Sequence, residues 1–485
     1  MISASFFVQK LIQTCKKYQD EIVLFAAGFF MLFFIKNVIG LEKHYLIAIP
    51  FIFITAFFML FVPKLFLFCF IGSFFFDFNL FVQNSGYGYI AFNLQDVLCL
   101  IFIVGYWGKY LINGNEKRNP PPFNGFYKTT ITQKFIWLLF VLAIISSLLN
   151  FQTFSMFDSM RSISYLFHFL ELLAIFSLIL MKTTYQERDW FIGIIIVFSL
   201  GELLVVGYQY FLGWLHGTYA YKFRDISGLF VHHSQIGNMM TISISCAMYK
   251  MLAAKTVRNK IFYLILSLLF CWAIICSGSR GNLLGVMCAI GIMILTQIKL
   301  SKTFFLFLLG VLLISTGLVL FSPILQLVNI TLNSPVSGVD QSSYNRFFIW
   351  KGAWEQFVKA PFITKLFGIG IGNFTNLHYS FLLESGKKAT SGAHNNFLHV
   401  LTETGIIGAS IFIGFFLSII ATLWKKGKED SLAYCYIWVT IALLISGFSQ
   451  ETFWFQPSFG NFWLYYMLGL GLALIKKPTQ LAARE

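Results

Sequence analysis

Apolar residues in this chain fall in long runs separated by short polar breaks. A helix that crosses the hydrocarbon core of a bilayer needs about 20 consecutive apolar residues. Runs of that length predict spans near 22–40, 45–62, 64–83, 94–112, 134–150, 164–181, 190–212, 233–252, 260–277, 281–298, 303–322, 404–424, 431–449 and 458–475. The expected fold is all-α, a polytopic membrane bundle of about 12–14 transmembrane helices. The run 45–83 is apolar throughout, and only Pro63–Lys64 marks a split within it. One sizeable segment, 323–403, breaks the pattern. The chain therefore divides into helices over 1–322, a large loop over 323–403 and further helices over 404–485. Within the loop, Trp350, Trp354 and Phe357 stand at helical spacing and predict a helix from Ser343 to Val358. A glycine-rich turn, Gly368 to Gly372, follows. Asn119 to Gly125, with three consecutive prolines, reads as a linker.

Composition narrows the class. The chain is 58% hydrophobic and 11% charged, against about 25% charged in soluble proteins, which excludes a soluble enzyme. The net charge of +15 would suggest nucleic acid in a soluble protein. Here the basic residues flank apolar runs, which points to topology and to no nucleic-acid partner. With a cytoplasmic N-terminus, most of the 35 basic residues fall on the inside, the C-terminus is also inside, and the large loop is outside. All eight cysteines except Cys15 lie in or at the edges of apolar runs, and no CxxC pair occurs, so neither a disulfide framework nor a zinc site is expected. The first apolar run lacks a small-x-small cleavage pattern and reads as a span, not a signal peptide.

Few charged residues are expected near the outer membrane edge. Arg280 sits in Ser277-Gly-Ser-Arg-Gly281 at the start of a predicted helix. Helix N-termini carry partial positive charge, so a cation there is misplaced unless an anion joins it. An arginine with Ser279 at such a terminus suits a phosphate or diphosphate; the alternative is a snorkelling anchor. Arg224 precedes the span beginning near 233, as an anion ligand or a plain loop arginine. His394 can serve as a base near neutral pH or as a loop or cap histidine. Glu403 could orient it or act as the base itself. Arg346 opens the loop helix, either to reach a second anion or on a solvated face. His168, Glu171 and Glu202 lie inside predicted spans, where ionisable groups are costly. They suggest a proton relay or an internally paired network. No HExxH, no GxxxxGK[ST] and no carboxylate-rich outer cluster occurs, so no metal and no cofactor is implied.

These residues resemble those of the O-antigen ligase and polymerase family, membrane glycan transferases that use polyprenyl-diphosphate-linked sugars. Ser277 to Leu284 resembles the family's Ser-Arg-Gly segment. His394-Asn395 followed by Gly405-Ile-Ile-Gly408 fits its His-Asn-x9-Gly-x-x-Gly pattern. Arg224 to Val231 is similar to the segment of its first arginine, and Arg346 with Trp350 and the Gly368–Gly372 turn resembles its loop.

The resemblance implies metal-independent, inverting glycosyl transfer at the periplasmic face of a bacterial inner membrane. Arg224 and Arg280 become diphosphate ligands and His394 the general base. Arg346, Glu403, Asn395, Ser279 and Trp350 become substrate contacts. The implied donor is a polyprenyl-diphosphate glycan embedded among membrane lipids. A lipid A–core acceptor makes the chain a ligase, and a second lipid-linked glycan makes it a polymerase. A transporter or flippase, with His168, Glu171 and Glu202 at its centre, is the competing class.

Overall fold

The computed structural model describes residues 79–84, 89–93, 96–101, 104, 131–151, 155–182, 185–215, 226, 228, 233–297, 341–374, 392–450, 452–453 and 460–475. The predicted spans 22–40, 45–62 and 303–322 lie outside the described residues.

Nine predicted spans from 134 onward coincide with helices. They are α1 (Ile131–Asn150), α2 (Met156–Lys182), α3 (Tyr185–Leu215), α4 (His233–Ala253), α5 (Val257–Cys276), α6 (Arg280–Gln297), and, after two loop helices, α9 (Asn396–Gly427), α10 (Ser431–Ser446) and α11 (Gly460–Leu474). The loop helices are α7 (Gln341–Lys359), close to the predicted 343–358, and α8 (Phe362–Phe367). Among the described residues, four helical segments are long and apolar enough to cross a membrane: Ile131–Asn150, Arg188–Leu212, Val257–Cys276 and Asn396–Gly427. The protein is an all-α multi-pass membrane protein.

One local departure is a two-stranded antiparallel hairpin, β1 (Asn79–Asn84) with β2 (Tyr89–Asn93). The expected span 64–83 therefore ends in a strand. Phe, Val and Ile serve either structure, and short apolar runs do not separate helix from strand by period alone.

Polar side chains set several helix starts. Thr256 caps α5 by accepting from the Asn259 N–H, and Asp430 caps α10 by accepting from Leu432. Asn395 caps α9 through the Leu398 N–H. Such a cap contributes about 0.5–2 kcal/mol. Packing then pairs α5 with α4, α6 with α10, α9 with α1, and α11 with α2. On α5, Leu266, Phe270 and Ile274 are buried, whereas Phe262, Ile265 and Leu268 are exposed. An apolar face left outward in this way suits lipid as its solvent.

Helix α9 starts inside the segment expected to be loop and is broken at Gly405, whose φ of 70° and ψ of −172° are not helical. A Cβ at Gly405 would overlap the Leu366 carbonyl, and one at Gly368 would overlap the Glu403 carbonyl. The end of α8 is thus keyed into the break in α9. Ser146 of α1 holds the same junction, donating to the Glu403 carbonyl (2.8 Å) and accepting from the Gly370 N–H (3.0 Å).

Candidate active site

Helix α10 runs from Asp430, its N-cap, to Gly447, its C-cap. The segment after it, 446–453, joins two helix starts far apart in sequence. The first is that of α6. Ser279 Oγ accepts from Asn282 Nδ2 and from Gln450 Nε2, both at 2.8 Å. Asn282 Oδ1 accepts from Ser446 Oγ (2.9 Å), and its Nδ2 lies 3.2 Å from Gln450 Oε1 and 3.3 Å from the Ser234 carbonyl. Ser279, Asn282, Ser446 and Gln450 are all buried. A Cβ at Gly281 would press on Ser449 Oγ and Gln450 Nε2. The glycine after Arg280 is therefore needed for close approach.

The second is that of α9. The Asn396 N–H donates to the Gly447 carbonyl (2.8 Å), its Nδ2 to Thr452 Oγ1 (2.6 Å), and its Oδ1 accepts from the Phe453 N–H (3.0 Å). Asn395, while capping α9, also donates to the Phe448 carbonyl (3.2 Å). The Ser-Arg-Gly and His-Asn motifs, more than a hundred residues apart, thus dock on one eight-residue strip.

His394 precedes the cap with φ of 49°, the only positive φ of a non-glycine residue among the described residues. Such backbone costs about 1–3 kcal/mol and persists where the surroundings over-determine it. Two contacts do so here. Asn395 is fixed by its cap, and Trp350 Nε1 donates to the Ala393 carbonyl (2.8 Å). Trp350 also packs with Ile349, Ala353, Phe374 and Ala393. Arg346 lies one turn before Trp350 on the same face of α7. Trp354 is 54% exposed.

Glu403 is 0% exposed. Its Oε1 lies 3.2 Å from His399 Nε2 and accepts from the Phe374 N–H (2.9 Å), and the Phe374 ring stacks on His399 at 4.6 Å. Arg280 opens α6; its side chain and Arg224 lie outside the described part. Near Arg224, Gly228 is held to α3 by both ends of the Gln209 amide, each at 2.9 Å.

Asn282, Asn396, Ser446, Gln450 and Thr452 were not singled out by sequence. The family patterns ran through or beside the first two, but 446–453 reads only as a short polar break between spans.

The cluster inside the bundle is built differently. His168 Nδ1 lies 3.2 Å from Glu171 Oε2 and 3.3 Å from Asp96 Oδ1, all three buried. Glu202 is also buried, against Gly228.

The fold and this end of the bundle define a multi-pass membrane protein with two helix starts fastened to one strip. Residues 265–413, from mid-α5 into α9, match the family model described as O-antigen ligase. Over that stretch the chain is similar to the O-antigen ligase/polymerase family, a membrane glycosyltransferase type of family. No curated protein matches the chain.

Proposed function

We propose that the chain is an O-antigen ligase. It transfers a glycan from polyprenyl diphosphate to a hydroxyl of lipid A–core at the periplasmic face of the inner membrane, with both termini cytoplasmic. The reading rests above all on the shared docking strip, which brings the arginine-bearing start of α6 and the histidine-bearing start of α9 to the same end of α10. The loop helix α7 meets that end through Trp350, which donates to the Ala393 carbonyl just before α9.

The chemistry follows from the groups. The sugar diphosphate is already activated. An acceptor oxygen attacks the anomeric carbon, and the bond from that carbon to the phosphate oxygen breaks. Negative charge gathers on the departing diphosphate, where Arg280, Arg224 and the N–H groups at the start of α6 would stabilise it without reorganising. His394 takes the acceptor proton from the opposite side, which inverts the anomeric centre. No metal is needed in this scheme, because fixed cations do the work. Arg346 reaches a second anionic group of donor or acceptor. Ser279, Asn395, Trp350 and Glu403 act chiefly by placing these groups. Glu403 does so through His399 and Phe374, since its burial leaves no face for a sugar.

Lipid-linked glycan and surface glycan from a deletion strain test the proposal. Loss of all repeats from lipid A–core, with long chains accumulating on the carrier, is the expected result. A core that carries one repeat would make the chain a polymerase with the same donor. An unchanged ladder would overturn both.

A further inference from the structure

We propose that Asp96, His168 and Glu171 form a structural site for a divalent cation of the zinc class inside the helix bundle, apart from the transfer chemistry. The three side chains offer one ligand atom each, all within 4.8 Å of one another. They come from two helical segments, 96–101 and α2. His168 and Glu171 are three residues apart and so project from one face of α2, a spacing also used by carboxylate and histidine ligands in bundle cores.

Three observations favour a cation over a simple ion pair. The first is distance. Charge-assisted hydrogen bonds run at about 2.7–2.9 Å, but His168 Nδ1 stands 3.2 and 3.3 Å from its two carboxylates. Zinc bonds of about 2.0–2.2 Å in a tetrahedron require edges of about 3.3–3.6 Å between ligand atoms. The second is direction. One Nδ1–H can point well at only one acceptor, yet two carboxylate oxygens flank this nitrogen almost equally. A lone pair aimed at a shared centre satisfies all three. The third is charge. Two carboxylates and a neutral imidazole balance a divalent ion, whereas without one the cluster is neutral only if a carboxyl keeps its proton beside the imidazolium. Glu171 Oε1 is buried without a hydrogen-bond partner, and bidentate coordination would give it one.

Bound there, the ion would tie segment 96–101 to α2. No residue of the candidate active site takes part, so the proposal stands or falls independently of glycan transfer.

The test uses the full chain purified in detergent, stripped with chelator and reloaded with Zn2+, with Mg2+ as a control. About one equivalent of tightly held zinc is expected, and Co2+ in its place should give the visible d–d absorption of a tetrahedral ion. His168→Ala and Glu171→Gln should weaken binding by at least about tenfold, while monodisperse elution checks their folding. Wild-type protein that takes up less than about a tenth of an equivalent, or zinc binding equal in wild type and both variants, would overturn the site. The cobalt spectrum of the wild type serves even if a variant fails to fold.

Discussion

The two ends of α10 are fastened by different chemistry. At its start the contacts are ionic. Buried Arg188 pairs with Asp430 and donates to Tyr249 Oη (3.0 Å), and Tyr249 donates to Asp189 (2.9 Å), which also pairs with Lys250 (3.2 Å). Lys426 reaches the carbonyls of Ala473, in the last turn of α11, and Ile475, just after it. At its other end the knot is made of amides and hydroxyls: Ser279, Asn282, Asn396, Ser446, Gln450 and Thr452. A neutral knot holds geometry without placing a fixed counter-charge beside the residues proposed to meet a diphosphate. The opposite end, with Lys250 and Lys426 among its ion pairs, carries the charge that the proposed topology places on the inside.

The largest effect that tests this contrast is on transfer itself. His394→Ala should lower the rate by about 10²–10⁴-fold, and Arg280→Ala by about 10²–10³-fold. Both should leave the melting temperature nearly unchanged. Transfer from a synthetic polyprenyl-diphosphate glycan in vesicles, per folded molecule, gives the number. Arg188→Ala should act in the opposite sense. It strands Asp430 and should cost about 3–5 kcal/mol in detergent unfolding, with the rate per folded molecule unchanged. A matching fall in that rate would erase the distinction between the ends.

Gln450→Ala sits between these. It removes one of the two donors to Ser279 Oγ and should cost about 1–3 kcal/mol, with a loss of rate larger than the lost fold explains. Gln450→Glu, of the same shape but charged, should depress transfer further by placing an anion where the donor's diphosphate is proposed to lie. The smallest change is expected from Trp354→Ala, within about 0.5 kcal/mol. A clear rise in KM there would mark its exposed ring as a sugar platform.

How far these features could be read in the sequence depended on their range. Helices from 134 onward were legible because an apolar run of membrane length has few other uses. The loop helix was legible from its spaced aromatics. Ser279, Arg280, His394 and Asn395 stood out through local pattern. The strip 446–453 did not, because its partners are up to 171 positions away and neither serine nor glutamine announces a distant contact. His168 and Glu171 were visible as a helical pair, but Asp96 needed the fold. The hairpin at 79–93 was missed because its residues also fit a span. Glu403 was noticed for its charge, yet its pairing with His399 depends on the break at Gly405, whose angle no sequence period encodes.

The docking strip also sets an order of manufacture. A ribosome feeds the chain to the membrane from its N-terminus, so α6 and α9 are both made before residues 446–453 exist. Until then Asn282 lacks its bonds to Ser446 and Gln450, and Asn396 lacks its bonds to Gly447, Thr452 and Phe453. The machine is finished only by its penultimate helix and the few residues beyond it. A chain stopped after α9 would carry both motifs without the strip that joins them.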